Sequence, residues 1–355
     1  MNAGVHAHAT DMVGRIQRSR GSGRMLVLVL VFFTFFAVLE PQVFLNPINL
    51  QNIMMTAPEI GLLSLAIMLA MLTGGIDLSV VSIANLSAIT IATLYINVGE
   101  QNPELAASLT PLFVLAGVAV GMLGGLFNGF LVAKIGITPI LATLATMQIY
   151  NGLAIVWTGG TTLAGQPAGL GEFGRSAIAG VPMLFVVFIV IAVVIGLIIN
   201  RTPIGLKVQL QGANPVAARY TGIRSGQVLG STYLLTGLLG GLAGVFILAR
   251  NPTASADFGS SYVLLVIVIA VLGGTNPMGG FASVLGVVLA TLTLQIVSSG
   301  FTALRMSPYA YAIAQGVILI AVMIVDSDKW RDYRSRWKKS RSTQRSQLSV
   351  KGKAS

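Results

Sequence analysis

Ten apolar runs, each near the length a bilayer demands, constrain this chain more than any motif in it. A helix needs about 20 mostly apolar residues to cross the hydrocarbon core. Runs that answer to this lie at about 25–44, 57–73, 78–96, 108–132, 137–158, 181–200, 227–249, 261–274, 281–301 and 308–325. In hydrocarbon a lone segment must satisfy its own backbone amides, so such runs predict helices. The expected fold is all-α: a polytopic transmembrane helix bundle of about ten spans, with N- and C-termini cytoplasmic. Composition agrees, since 54% of the 355 residues are hydrophobic and 9% are charged, against roughly 25% charged in soluble domains.

The charges set the orientation. With the N-terminus inside, the tails and the segments near 74–77, 133–136, 201–226 and 275–280 face the cytoplasm and hold 19 of the 22 basic residues. Arg175, Arg250 and Arg305 are left outside, in loops that also carry Glu40, Glu59, Glu100, Glu104, Glu172 and Asp257. Cytoplasmic loops carry an excess of Lys and Arg, so this arrangement is the favoured one. It divides the chain into a basic tail at 1–24, a membrane domain at 25–325 with a long inner loop at 201–226, and a second basic tail at 326–355. The net charge of +11 thus predicts anchors beside the membrane and contact with its lipid, and no nucleic-acid partner. The first run lacks a small-residue cleavage site and reads as a retained helix rather than a signal peptide.

Several chemistries are not expected. Cysteine is absent, and the two histidines, His6 and His8, lie in the N-terminal tail, so no disulfide, metal site or histidine relay is expected, and no cofactor. No Gly-x-x-x-x-Gly-Lys-Ser/Thr phosphate loop occurs, so the chain is not expected to hydrolyse ATP itself or to be an enzyme. Ion-coupled carriers rely on several embedded ionisable groups. Here nearly every carboxylate falls in a predicted loop, and Asp77 comes closest to being embedded. A carrier driven by an ion gradient is therefore the alternative reading, and energy supplied by another protein the main one.

Glycine patterns organise the spans. "GVAVGMLGGLFNG" (117–129) and "GLLGGLAG" (237–244) carry Gly-x-x-x-Gly spacings, which let helix backbones approach closely, within one bundle or between subunits. A second device, an apolar helix ending in Gly-Gly and a polar turn, recurs as "LTGGIDLS" (72–79), "WTGGTTLAG" (157–165) and "VLGGTNPMGG" (271–280). Gly-interrupted spans can mark broken helices beside a pathway, so Gly74, Gly75, Asp77, Ser79, Gly273 and Gly274 are candidate hinge or gate residues. Asp77 is expected to cap the third span at a Gly-hinged break; a moving gate bond and a ligand for a solute hydroxyl are the other readings. Asn128, Gln148, Asn151 and Trp157 are candidates to line a pathway for a neutral polyhydroxy solute, although bonding between helices accounts for such residues equally well.

The inner loop carries "PVAARYTGI" (215–223), which predicts a short helix capped by Asn214, begun by Pro215 and stopped by Gly222. A helix outside the bilayer must pack against something. The order Gly212, Asn214, Ala217, Ala218, Gly222, Ile223 resembles the coupling segment of ABC-importer permeases for ribose, xylose, galactose and related sugars. "GIDLSV" (75–80) resembles that family's signature after its second membrane segment, and "VLGGTNPMGG" its later Gly-Gly-Thr turn. The resemblance covers most of residues 50–325. It implies a permease subunit in a bacterial inner membrane, paired with a second copy or a homologous permease. Cytoplasmic ATP-binding subunits would dock on the coupling helix, and a periplasmic solute-binding protein would deliver the solute. There are two departures: Val81 stands where the family often has Gly, which matters little, and "SYVLLVIVIAVLGG" (261–274) lacks an acid the family often has, which leans towards branches handling deoxysugars, polyols or sugar-derived signals.

Overall fold

The computed structural model describes residues 23–326. The basic tails fall almost wholly outside this range. Up to Arg305 the chain forms one compact unit, and from Met306 a second. The first contains α1 (Gly23–Leu39), α2 (Pro41–Phe44), α3 (Pro47–Leu72), α4 (Val80–Gly99) and α5 (Pro103–Ser108). It continues with α6 (Thr110–Phe130), which closes in a π-helical turn, Leu131–Ile135. Then come α7 (Pro139–Thr158), α8 (Ala168–Arg175), α9 (Met183–Arg201), α10 (Pro203–Ala213) and α11 (Pro215–Tyr220). The unit ends with α12 (Ser225–Arg250), α13 (Tyr262–Leu272) and α14 (Val284–Ala303). In the second unit, α15 (Pro308–Asp326) is an apolar helix.

Each of the ten apolar runs falls on a helix. Among the described residues seven helices are long and apolar enough to cross a membrane, and Gly23–Leu39, Tyr262–Leu272 and Tyr309–Ile318 are shorter apolar helices. The protein is a multi-pass helical bundle. One small non-helical element was not foreseen: Ala177–Ile178 and Val181–Pro182 pair as a two-residue antiparallel hairpin.

α3 and α12 occupy the centre and are buried over most of their length, whereas α6, α7 and α9 are largely exposed. An apolar helix without a polar face is a buried one, and α3 from Ala57 to Leu72 is buried residue by residue. The two Gly-x-x-x-Gly runs meet each other. A Cβ at Gly125 would stand 2.7 Å from Gly237 Cα, and one at Gly121 would stand 2.6 Å from Gly241 Cα. This stripe is therefore packing within the chain. Phe36 of α1 lies over Gly300 of α14 and packs with the rings of Phe44 and Phe301.

The structure corrects the reading of the segment before residue 57. The polar stretch "NPINLQNIMMTAPE" was expected as an outer loop, but α3 begins at Pro47, with the Asn46 side chain accepting from the Ile48 amide. Glu59 is buried and pairs with Arg250 at the end of α12. Thr56 bonds Gln295 at 3.1 Å and Ser299 bonds Asn49 at 2.8 Å. These polar residues are internal ties. Removing one partner of a buried pair strands the other. Arg250 retains 27% exposure and Glu59 only 2%, so the acid is the costlier orphan. Arg250→Met is expected to destabilise by about 3 kcal/mol and Glu59→Gln by less. Equal losses in thermal unfolding of the purified chain would contradict this.

The short α13 is preceded by a run of turns that enters the bundle. Asn85, about 9 Å along α4, donates to the Ala256 and Phe258 carbonyls at 2.7 and 2.9 Å. Irregular backbone at depth requires such partners.

Candidate functional site: a junction of three turns

α3 and α13 end alike. After α3, Gly74 N–H donates to Met71 O at 2.8 Å and Gly75 N–H to Ala70 O at 3.2 Å; after α13, Gly274 N–H donates to Val271 O at 2.9 Å and Thr275 N–H to Ala270 O at 3.1 Å. Gly74 and Gly274 adopt φ of 81° and 90°, the left-handed conformation that this helix stop requires. Gly273 abuts the start of α14 at Val287. In the remaining Gly-Gly device, Gly159–Gly160 stops α7 in open space, and the chain beyond it pairs Leu163 with Ala254.

The first two turns converge on the inner loop, most of which is helical. α10, which the sequence reading missed, starts at Pro203 with the Thr202 hydroxyl accepting from the Gly205 amide. Its last turn brings Gly212 against both Gly-Gly turns. A Cβ at Gly212 would fall on the Leu72 carbonyl and 2.7 Å from the Gly280 nitrogen, and one at Gly279 would lie 2.7 Å from Gly212 O and 2.9 Å from Gly74 N. Gly280 N–H donates to Leu72 O at 3.0 Å. Backbone thus meets backbone among 72–74, 212–213 and 278–280, with the Ala213 methyl beside Gly280.

α11 follows directly. Asn214 accepts from the Val216 and Ala217 amides at 3.1 and 3.0 Å, and Pro215 occupies the first turn. Gly222 (φ 81°) and Ile223, whose N–H reaches Ala218 O, close the helix as expected. The helix has two faces. Ala218 is buried, whereas Ala217 is exposed. Val216 and Tyr220 project outward, Tyr220 at 90% exposure. The resemblance did not single out these two.

Asp77 and its neighbours tie the α3–α4 turn to three helices. Its Oδ1 accepts from the Ser79 amide at 3.1 Å, the Ser79 hydroxyl at 2.7 Å and, more distantly, Asn128 Nδ2 at 3.5 Å. Oδ2 accepts from Thr236 of α12 at 2.9 Å. Asn128 of α6 also donates to Ser79 Oγ at 2.7 Å and accepts from Thr146 of α7 at 2.6 Å. Thr143 of α7 accepts from the Leu78 amide at 3.2 Å and donates to the Ile76 carbonyl at 3.0 Å. Asp77, Ser79, Asn128 and Thr146 are all fully buried. The Ser79 amide and Asn128 Nδ2 can only donate to it, and the hydroxyls of Ser79 and Thr236 supply two further bonds. Hydrogen bonds of this kind offset the cost of burial.

The expected helix cap is corrected. α4 starts at Val80 after Ser79, and Asp77 bonds no amide of α4. Gly75, between the two, lies against Pro139 and Tyr233. Of the pathway candidates, Asn128 belongs to this buried network. Gln148 and Trp157 are exposed on α7 and Asn151 is half-buried. The sequence reading missed Thr143, Thr146 and Thr236, whose isolated hydroxyls in apolar spans were the available signal. Among the described residues no cluster of three or more His, Cys, Asp or Glu comes together.

Helices long and apolar enough to span a membrane, joined through turns to an exposed helical segment, make this a multi-pass membrane protein. Residues 49–323 match the family described as "Branched-chain amino acid transport system / permease component", and the chain belongs to this permease family. It is 31% identical over 307 residues to the ribose import permease protein RbsC of Bacillus subtilis, covering 86% of this chain and 91% of the relative. The autoinducer 2 import system permease protein LsrC of Salmonella typhi is 29% identical, with 89% and 88% covered. The galactose/methyl galactoside import permease protein MglC of Escherichia coli is also 29% identical, with 87% and 94% covered. No solved structure gives a significant match.

Proposed function

We propose that this chain is the membrane-spanning permease subunit of an ATP-binding-cassette importer for a sugar or sugar-like solute. The class takes in pentoses, deoxyhexoses, polyols and sugar-derived signals. Support comes from relatives that bear the names of ribose, galactose and autoinducer 2 import permeases. ATP hydrolysis then belongs to cytoplasmic subunits, delivery to a periplasmic binding protein, and a second permease completes the pathway in the bacterial inner membrane. Adding the three shorter apolar helices to the seven longer ones gives ten spans, with both termini cytoplasmic. That count leaves 19 of the 22 basic residues on one side.

One observation carries the mechanism: α11 is exposed outward and, three residues before it in the chain, Gly212 is locked to the ends of α3 and the α13–α14 turn. A push on α11 by a closing ATPase reaches the spans through backbone contacts. Gly212, Asn214, Ala217, Ala218, Gly222 and Ile223 form the coupling segment, and Gly74, Gly75, Asp77, Ser79, Gly273 and Gly274 the hinge it drives. Gln148, Asn151 and Trp157 on the open face of α7 supply the uncharged polar and aromatic surface that a polyhydroxy solute needs.

The two alanines separate docking from folding. Ala217→Trp places bulk on the outer face, so the bundle is expected to unfold normally while co-purification with the ATP-binding subunits and uptake are lost. Ala218→Trp places it in packed surroundings and is expected to destabilise by about 1–3 kcal/mol. Full uptake by Ala217→Trp would overturn the coupling role of α11.

A further inference from the structure

Two grooves flank the start of α12 and share Arg224 and Gln227. One, of about 400 Å³, runs between α6 and α12. Leu126, Phe130 and Ala133 contribute apolar surface to it, and Gly129, Gly226 and Gly230 contribute bare backbone. A Cβ at Gly230 would meet no atom within 4 Å, so the groove is open there. Lys134 and Arg224 complete its lining. Both are exposed, and neither has an acidic partner among the described residues. The second groove, of about 540 Å³, includes Lys207 as well as Arg224.

The positions of these residues give the groove two chemically distinct zones. Lys134 stands one residue from the end of the span Thr110–Ile135, and Arg224 stands one residue before the span Ser225–Arg250. The cations therefore lie where two spans leave the membrane, and the apolar surface runs back along the spans. A soluble anion would match the cations and leave the apolar surface without a partner. A neutral lipid would do the reverse. A molecule with an anionic head and a hydrocarbon chain matches both zones, and basic pockets between spans take anionic headgroups.

We propose that an anionic phospholipid occupies this groove, its phosphate between Lys134 and Arg224 and one acyl chain along Gly129 and Gly230. The proposal requires only that the chain spans a bilayer and is independent of the solute carried. Arg224 directly follows Ile223, which closes α11, so the bound lipid braces the segment that leads into α12.

The test is native mass spectrometry of the detergent-purified full chain, titrated with phosphatidylglycerol or with phosphatidylcholine of the same acyl composition. Phosphatidylglycerol is expected to be retained at least tenfold more tightly. Lys134→Gln and Arg224→Gln should each weaken it about fivefold, with Arg224→Lys restoring binding and Arg175→Gln, remote from the groove, changing nothing. Gly230→Leu should displace the lipid by filling the acyl channel. Equal retention of the two lipids by the wild type overturns the proposal without reference to any variant. So does undiminished binding in both glutamine variants, or competition by soluble glycerol phosphate as strong as that of intact lipid, which would reveal an anion site only.

Discussion

A valine at Gly212 is expected to cost the bundle about 3 kcal/mol or more, the upper end of what overpacking usually does, and to abolish uptake. The reason is the nature of its neighbours. A flexible side chain can swing away from a new methyl group, but here the new atoms meet the Leu72 carbonyl and the Gly280 amide, which are bonded to each other. Relief demands that α3, α10 or the α13–α14 turn move as a unit. Gly169→Ala, at a site with nothing within 4 Å, is the matched control and should be near neutral. Thermal unfolding of the purified chain, with uptake in cells, reads both effects. A Gly212→Val protein that transports normally would show that the junction is neither tight nor needed.

Asp77→Leu is the second large effect. It leaves the Ser79 hydroxyl and the Ser79 amide, both buried, without their acceptor, while the Asn128 amide keeps Ser79 Oγ and the Thr236 hydroxyl keeps the Tyr233 carbonyl. At about 1–3 kcal/mol for each stranded buried group, the total is about 2–6 kcal/mol. Asp77→Asn keeps one acceptor oxygen and should lose roughly half as much. If leucine and asparagine prove equally harmful, the charge itself matters more than the hydrogen bonds. If both are harmless, the network does not hold the turn.

Much of the architecture was legible because hydropathy and punctuation are local. The ten apolar runs each became a helix, and "NPVAARYTGI" carries its cap, its first turn and its stop in sequence, so α11 was readable to the residue. Glu59 was not legible. Its neighbours Pro58, Asn52 and Gln51 look like loop, and only the distant Arg250, Gln295 and Ser299 make polar residues at that depth affordable. The Asp77 network failed in the same way, since Thr236 and Thr146 acquire meaning only once α6, α7 and α12 are packed. Gly212 was singled out by resemblance, but its contact with two Gly-Gly turns separated by about 200 residues is a tertiary fact.

The buried Glu59 also weakens one argument made from sequence. The case against an ion-coupled carrier took Asp77 as the acid closest to being embedded, and among the described residues Glu59 is buried as well. Glu59 is matched by Arg250, so it carries no unbalanced charge across the bundle. Family membership, rather than the count of acids, now sets that reading aside.

The glycine contact between α6 and α12 has a consequence for how such a machine can work. Two helices whose Cα atoms nearly touch along several turns cannot slide or rock without unstacking their whole shared face. The pair is in effect the stator of the device. Whatever rotor the transport cycle employs must be sought among helices outside this pair, and distance probes placed across α6 and α12 should report a fixed value in every state of the cycle.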